Sequence, residues 1–199
     1  MNDLRIVLRA IDYGLVAAWE QSFRGVAQVE ASQGSILTRR ADAIVSPANS
    51  FGYMDGGLDL IYSQHFGWEV EGRVRRRLLA EYDGELPVGQ AFIVPTENAD
   101  IPLLISAPTM RVPMNVAGTT NAYLAFRAVL ISIRDHNRAA RGPPIHTVLC
   151  PGLGTGEGRM PHDRCARQMR AAYDAIVGGR VETKGGLARA VEGHMALMT

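Results

Sequence analysis

The sequence is poor in cysteine, with only Cys150 and Cys165 among its 199 residues. The two do not form a Cys-x-x-Cys pair, and two thiols cannot build the disulfide framework of a small secreted domain. The five histidines show no metal-ligand spacing. We therefore expect no metal site, because a chain of this length can bury a core that needs no disulfide or metal to stabilise it. We also expect no bound cofactor.

Long apolar runs are absent as well. No stretch approaches the roughly 18 apolar residues that a membrane-spanning helix needs, and residues 1–5 do not begin an apolar run typical of a signal peptide. These absences predict a soluble, cytoplasmic protein with no membrane partner.

An excess of charge of either sign is also missing, since 21 basic residues face 20 acidic ones. Without a net positive field, the chain is not expected to bind a long nucleic acid by charge alone. The one dense basic run, Arg73 with Arg75 to Arg77, lies in a helical pattern. We interpret it as a solvated helix face, with a phosphate-binding patch as the alternative.

Glycine, in contrast, is abundant at 21 residues, and many of them are clustered. Between the clusters, strand and helix patterns alternate. Strands are predicted at 4–11, 26–31, 41–48, 90–96, 103–107 and 146–150, and helices at 15–23, 58–67, 69–82, 119–137 and 161–177. This alternation predicts an α/β domain whose largely parallel sheet is covered on both faces. Residues 178–199 are expected to add a final helix or a loose tail.

Two glycine-rich loops follow predicted strands, and in such a sheet ligands bind beyond the carboxyl ends of the strands. Loop 1 covers residues 46–59 and loop 2 covers residues 151–160. Loop 2 has glycine at 152, 154, 156 and 158, directly before a helix. Backbone N–H groups at such a loop suit a phosphate or diphosphate. The alternative is a flexible connection whose glycines serve tight turns.

Loop 1 holds two polar residues, Asn49 and Asp59, ten residues apart around Gly56-Gly57. Taken singly, Asn49 is typical of an Asx turn. Asp59 is typical of an acid in the first turn of a helix, where the helix dipole favours it.

Taken together, these elements resemble the macrodomain family. Residues 43–49 followed by Gly56-Gly57-Leu58-Asp59 are similar to the family's apolar strand, Asn-Ala-Ala-Asn, glycine run, aliphatic residue and Asp. Residues 151–156 are similar to its diphosphate-holding loop, and Gly34-Ser35-Ile36 to its Gly-Asp-Ile element. The resemblance covers about residues 26–177. It implies one three-layer α/β/α domain over residues 1–199, with a mixed, largely parallel sheet and a core at about 4–177.

The resemblance also implies roles for individual residues. In macrodomains the first loop holds the distal ribose of ADP-ribose and the second wraps the diphosphate. Asn49 and Asp59 are the implied catalytic residues, Asn49 on the distal ribose and Asp59 at the position where MacroD-type hydrolases carry the Asp that positions substrate and water. The implied ADP-ribose-binding residues are Ser35, Ile36, Ala48, Asn49, Phe51, Gly56, Gly57, Leu58, Gly152, Gly154, Thr155, Gly156, Glu157 and Gly158.

The chain departs from the family pattern at three positions that touch this expected site. The first Asn of Asn-Ala-Ala-Asn is Ser46, and the Asp that commonly reads the adenine amino group is Ser35. The aromatic residue of the second loop is Gly158, which leaves Phe51 or Tyr53 to cover the ribose.

Two other features stay open. For His162, at the start of a predicted helix, a capping role is favoured over a catalytic one. The proline-bounded segment 106–113 either lines the pocket, with Arg111 near a phosphate, or is an ordinary connection.

The predicted function is to bind ADP-ribose and to hydrolyse an ADP-ribosyl linkage on a protein, nucleic acid or small acyl acceptor. Two alternatives remain. One is a noncatalytic reader or sequestering module, which Ser35 and Gly158 favour. The other is a phosphatase acting on ADP-ribose 1″-phosphate.

Overall fold

Strands and helices alternate along the computed structural model, which describes residues 1, 3–140, 142–180 and 185–199. A short 3-10 turn, Ile36–Thr38, follows the second strand. In chain order the strands and α-helices are β1 (Arg5–Ala10), α1 (Tyr13–Ser22), β2 (Val29–Gln33), β3 (Ala43–Ser46), α2 (Gly57–Phe66), α3 (Glu69–Glu81), β4 (Phe92–Pro95), β5 (Leu103–Ser106), α4 (Asn121–Ala139), β6 (Thr147–Cys150), α5 (His162–Ile176) and α6 (Gly186–Met198).

The strands form one mixed sheet in the order β2-β1-β6-β3-β5-β4. Every neighbouring pair is parallel except β4 and β5, which run antiparallel at one edge. The predicted mixed, largely parallel sheet is therefore confirmed. Because β3 and β6 are parallel neighbours in its middle, loops 1 and 2 leave the sheet at the same edge.

Alternate residues of the central strands enter two separate apolar layers. Val45 and Val148 pack with α1, α4 and α5 on one face of the sheet. Ile44 and Leu149 pack with α2 and α3 on the other. This two-residue period is what a strand requires when helices cover both faces, and it explains the nearly continuous apolar runs of the strands. The three-layer α/β/α architecture is confirmed.

One predicted strand starts later than expected. Residues 26–28 belong to a turn, in which the Val26 N–H donates to the Phe23 carbonyl at 3.0 Å and the Val29 N–H to the Val26 carbonyl at 3.1 Å. Gly25, whose φ is 80°, lies between Phe23 and Val26 in this turn, after α1 has ended at Ser22. β2 accordingly begins at Val29, with its chain already aligned beside β1.

The C-terminal segment contains α6, none of whose side chains is buried. Residues 181–184, which fall within the segment 178–199, lie outside the described part of the chain. Across the described ranges, no helix combines the length and the apolar character that crossing a membrane would require.

The two tryptophans provide a matched test of this packing. Trp19 on α1 is fully buried, and its Nε1 lies 3.4 Å from the Met169 sulfur on α5, whereas Trp68 is 54% exposed. We expect Trp19→Ala to lower the free energy of unfolding by about 3–5 kcal/mol, because it opens a cavity between two helices. Trp68→Ala is expected to change it by about 0.5 kcal/mol or less. Urea titration followed by circular dichroism measures both, and equal losses would contradict the packing described above.

Candidate active site

Loops 1 and 2 face each other across a cleft of about 770 Å³ at the carboxyl edge of the sheet. This volume lies within the range of about 300–1,000 Å³ typical of small-molecule sites. The predicted residues that line the cleft are Ser35, Ile36, Ala48, Asn49, Gly56, Gly57, Leu58, Asp59, Gly152, Gly154, Thr155, Gly156, Glu157 and Gly158.

Asn49 shapes loop 1 with both ends of its amide. Its Oδ1 accepts hydrogen bonds from the N–H groups of Phe51 (3.1 Å) and Tyr53 (3.3 Å), and its Nδ2 donates to the Tyr53 carbonyl (2.8 Å). This is the Asx turn that the residue type favours by itself. An amide oxygen accepts two hydrogen bonds and an NH₂ group donates two, so one N–H of Asn49 is left for a ligand.

Asp59 is a buried carboxyl in the cleft wall. It lies in the first turn of α2, is only 7% exposed, and accepts a hydrogen bond of 2.6 Å at Oδ1 from the Ser46 hydroxyl. Burial raises the pKa of Asp59 from its ordinary 3.8 to about 7, and the bond from Ser46 opposes that rise. A group with this pKa exchanges protons readily at neutral pH, which is what general acid–base chemistry needs.

The glycines of loop 2 divide into two kinds. A Cβ on Gly158 would lie 2.5 Å from the Gly154 carbonyl oxygen, and Gly154 itself has a φ of 72°. These two glycines serve the loop's own packing. A Cβ on Gly156, by contrast, would meet no atom within 4 Å, so its lack of a side chain is not needed for the fold and instead leaves space in the cleft.

Residues 107–118, which we call the bridging segment, connect the two loops. At its start the Thr109 N–H donates to the Ala48 carbonyl of loop 1 at 3.1 Å. Near its end the Val116 N–H donates to the Gly158 carbonyl of loop 2 at 2.8 Å. Part of the segment lines the cleft, through Thr109, Met110 and Pro113.

Two side chains considered for the site, Arg111 and Phe51, are not among the residues that line the cleft. Arg111 does not line the cleft but makes a bidentate ion pair with Glu85, at 2.7 and 3.0 Å. Its guanidinium also covers the Phe51 ring at 5.0 Å, and Phe51 is likewise not among the lining residues. Tyr53, the other candidate for covering the ribose, does line the cleft.

The cleft is also lined by residues for which the sequence indicated no role in binding, from the end of β1 and from the starts of α1 and α5. Arg9 donates to the Ser35 carbonyl and to the Ser32 hydroxyl, both at 2.9 Å. Asp12 caps α1, and its Oδ1 lies 3.7 Å from Nδ1 of His162. His162, for which capping was favoured, thus lines the cleft with Asp12. In the same part of the chain, Ala10, Ile11 and Leu15 also line the cleft.

Neither cysteine is a candidate nucleophile for the cleft. Both are free and buried, and burial raises the pKa of Cys165 to about 12 and that of Cys150 well above its ordinary value. Thiols held in their protonated form are inert as nucleophiles. Within residues 1, 3–140, 142–180 and 185–199, no three His, Cys, Asp or Glu side chains cluster as a metal ion would require.

Comparison with known proteins identifies relatives of this chain. A family model described as Macro domain matches residues 45–169. An uncharacterized protein of Aquifex aeolicus is 31% identical over 141 residues, which cover 71% of this chain and 78% of the relative. An uncharacterized protein of Aeropyrum pernix is 30% identical over 147 residues, covering 74% of this chain and 71% of the relative.

Solved structures share the fold. The macrodomain of Mycobacterium tuberculosis DarG matches with a TM-score of 0.60 at 21% identity, over 73% of this chain and 89% of that chain. A point mutant of the Oceanobacillus iheyensis macrodomain, solved with ADPR, matches with a TM-score of 0.55 at 16% identity, over 69% and 73% of the two chains. Thermosipho africanus DarTG in complex with ADP-ribose matches with a TM-score of 0.54 at 14% identity, over 70% and 37%.

The buried Asp59 predicts a pH dependence of stability. In the unfolded chain this carboxyl ionises near 3.8, whereas in the folded protein it stays protonated up to about pH 7. The contribution of the Asp59 carboxyl to the free energy of unfolding is therefore fully present below about pH 4 and is lost as the pH rises to about 7. We expect Asp59→Asn, which keeps an acceptor for Ser46, to gain stability over the wild type across that interval, by a few kcal/mol at about 1.4 kcal/mol per pKa unit.

Chemical denaturation of both proteins at pH 4.5, 6 and 8 measures this difference. Asp55→Asn, in the exposed part of loop 1, controls for the removal of a charge. A stability difference between Asp59→Asn and wild type that is constant from pH 4.5 to 8 would show that the carboxyl is not held protonated.

Proposed function

Because the chain belongs to the macrodomain family, we propose that it binds ADP-ribose and hydrolyses an ADP-ribosyl linkage, releasing ADP-ribose from a modified acceptor. The observation that carries the hydrolytic part is the buried Asp59 carboxyl in the cleft wall, with its pKa of about 7. The binding part is supported by the relatives of the same fold that were solved with ADP-ribose.

The electrostatics of the cleft suit a diphosphate. Gly57 at the N-terminus of α2 and His162 at the N-terminus of α5 both line it, so two helix dipoles present their positive ends to the same space. Few cationic side chains line the cleft, and one of them, Arg9, already donates to Ser35 and Ser32. Backbone N–H groups of loops 1 and 2 would therefore supply most donors to the phosphates.

Asn49 can contact the ligand with only part of its side-chain amide. Its oxygen is occupied by two backbone N–H groups, so it offers the ligand one N–H, suited to a hydroxyl oxygen of the distal ribose. Its larger contribution is to hold the shape of loop 1, which carries Gly56 and Gly57 to the cleft.

In the proposed reaction, the Asp59 carboxylate accepts a proton from a water molecule as the water oxygen attacks the anomeric carbon of the distal ribose. The bond from that carbon to the acceptor breaks, and the acceptor leaves with the bonding electrons and takes up a proton. Asp59 suits the first step because a base works best when its pKa lies near the working pH.

Gly158 favours a second candidate, the noncatalytic reader. A side chain at this position would collide with the Gly154 carbonyl, so loop 2 carries no aromatic ring there to enclose the distal ribose. A less enclosed ribose admits more water and holds the anomeric carbon less firmly, which favours binding over turnover.

We retain the cytoplasm as the expected location. The two free, buried cysteines support it, because a chain that relies on no disulfide suits a reducing compartment.

Substitution at Gly156 tests where the ligand binds. We expect Gly156→Val to fold like the wild type and to bind ADP-ribose about tenfold or more weakly, because overpacking a filled site costs about 1–3 kcal/mol. Gly118→Val is the matched control, since its Cβ also meets no atom within 4 Å and it does not line the cleft. Titration calorimetry measures both. If the wild-type protein does not bind ADP-ribose at millimolar concentration, the binding proposal is wrong.

Asp59→Ala tests the chemistry. We expect ADP-ribose binding to persist and turnover to fall by about 100-fold or more, the usual contribution of a positioned proton acceptor. We also expect wild-type kcat/KM to rise with pH through about 7, because the ionised carboxylate is the active form and kcat/KM reports the pKa of the free enzyme.

The substrate panel comprises ADP-ribosylated protein, ADP-ribosylated nucleic acid, O-acetyl-ADP-ribose and ADP-ribose 1″-phosphate. Turnover of the last alone favours the phosphatase. Binding without any turnover favours the reader. Equal rates for Asp59→Ala and wild type on every substrate would refute the role of Asp59.

A further inference from the structure

Ser46, which departs from the family pattern, makes a short contact with Asp59. The Ser46 hydroxyl donates to Asp59 Oδ1 at 2.6 Å, so the bond joins the first and last residues of loop 1, thirteen positions apart. This length falls in the range of about 2.5–2.7 Å for a hydroxyl bound to a carboxylate. Ser46 is 1% exposed, so water does not compete with this bond from the serine side.

The strand holds Ser46 firmly. It is the last residue of β3, it is paired with Ser106 of β5, and its carbonyl accepts the Ala107 N–H at 3.1 Å. With the backbone held against β5, rotation within the side chain is what places the hydroxyl. The donor to Asp59 therefore lies on β3, at the first position of loop 1, before the loop leaves the sheet.

The carboxyl itself has two inequivalent oxygens. Oδ1 takes the Ser46 hydrogen bond, and among the described residues no side chain or backbone group hydrogen-bonds to Oδ2. Asp59 also lines the cleft. A carboxyl bound through one oxygen loses its freedom to rotate, and the other oxygen remains available.

We propose that Ser46 is a positioning residue for Asp59, whose hydroxyl fixes the carboxyl through Oδ1 and leaves Oδ2 to meet the reactant in the cleft. The proposal rests on the proposed function for the role of Asp59 in turnover. The hydrogen bond and its effect on the carboxyl exist without any ligand. Proposal and function can therefore fail separately.

A merely structural role for Ser46 makes a different prediction. A buried hydroxyl needs a partner, and Asp59 would then serve only to satisfy it. In that case the hydroxyl would bind the neutral and the ionised carboxyl equally well, so Ser46→Ala would alter stability and leave the pKa of Asp59 unchanged. If Ser46 acts on the carboxyl, its removal leaves burial unopposed, and the pKa of Asp59 rises further above about 7.

The decisive measurement is an NMR titration of the Asp59 carboxyl carbon in the ligand-free, full-length chain. We expect Ser46→Ala to move the titration midpoint up by about one pH unit, as the loss of a hydrogen bond to a charged group implies. Ser106→Ala is the matched control, because Ser106 is the register partner of Ser46 and is equally buried. An unmoved midpoint in Ser46→Ala overturns the proposal, as does an equal shift in Ser106→Ala.

Ser46→Cys is the second variant, for use if the alanine variant does not fold. It nearly preserves the side-chain volume but offers a much weaker donor. We expect its midpoint to move in the same direction by a smaller amount. A midpoint identical to that of the wild type overturns the proposal here too.

Turnover provides the second readout. We expect Ser46→Ala to lower kcat at pH 7 by about tenfold with KM within about twofold, and to shift the kcat–pH profile to higher pH. A raised KM with unchanged kcat contradicts a positioning role. Absence of wild-type turnover defeats the hydrolase proposal alone, and the NMR titration then still decides the role of Ser46.

Discussion

The short parallel pairing of β3 with β6 determines where everything else in the site lies. The two strands are in register over only two residue pairs, Ala43 with Val148 and Ile44 with Leu149. Beyond those pairs their chains leave for opposite faces of the sheet. Loop 1 leads to α2, which packs beside Ile44, whereas loop 2 leads to α5, which packs beside Val148. A crevice opens wherever neighbouring parallel strands diverge in this way, and the cleft is that crevice.

Because the cleft lies between chains that diverge, its two walls, loops 1 and 2, must be held at a fixed distance from each other. The bridging segment does this, because it extends the β3–β5 pairing past the end of the sheet and then hydrogen-bonds to loop 2 through the Val116 N–H. Met110 pairs with Asn49 as an isolated parallel bridge, and Val116 packs buried against the glycines of loop 2. Both walls are thus hydrogen-bonded to one short segment. A site held this way requires little ordering when a ligand binds, which favours affinity and orientation.

The sequence was most informative where a residue type has few alternative uses. Asn49 and the alternating glycines lie in the cleft because they follow buried strands, which are visible as apolar runs, and Asp59 does so because it lies in the first turn of α2, at the end of loop 1. Arg9 and Asp12 were not predictable in the same way. They reach the cleft because β1 is the neighbour of β6, and strand order is set by long-range pairing that no local pattern encodes.

Phe51 shows a different limit. It lies in loop 1 between residues that do line the cleft, and its residue type suits a ribose as well as that of Tyr53 does. Each ring is covered by a guanidinium, that of Arg111 over Phe51 at 5.0 Å and that of Arg75 over Tyr53 at 4.4 Å, and only Tyr53 lines the cleft. That arrangement depends on residues far apart in the chain, so it becomes visible only once the segments are assembled.

The protonation of Asp59 is a balance of opposing effects, each fixed by a different part of the fold. Burial in the cleft wall favours the neutral acid, whereas the hydroxyl of Ser46 and the N-terminus of α2 favour the carboxylate. A bound diphosphate adds negative charge nearby and moves the balance further toward the acid. A base that must be ionised in the complex therefore depends more on the Ser46 hydroxyl with ligand present than without it. In this way the serine that departs from the family pattern supports the proposed chemistry instead of weakening it.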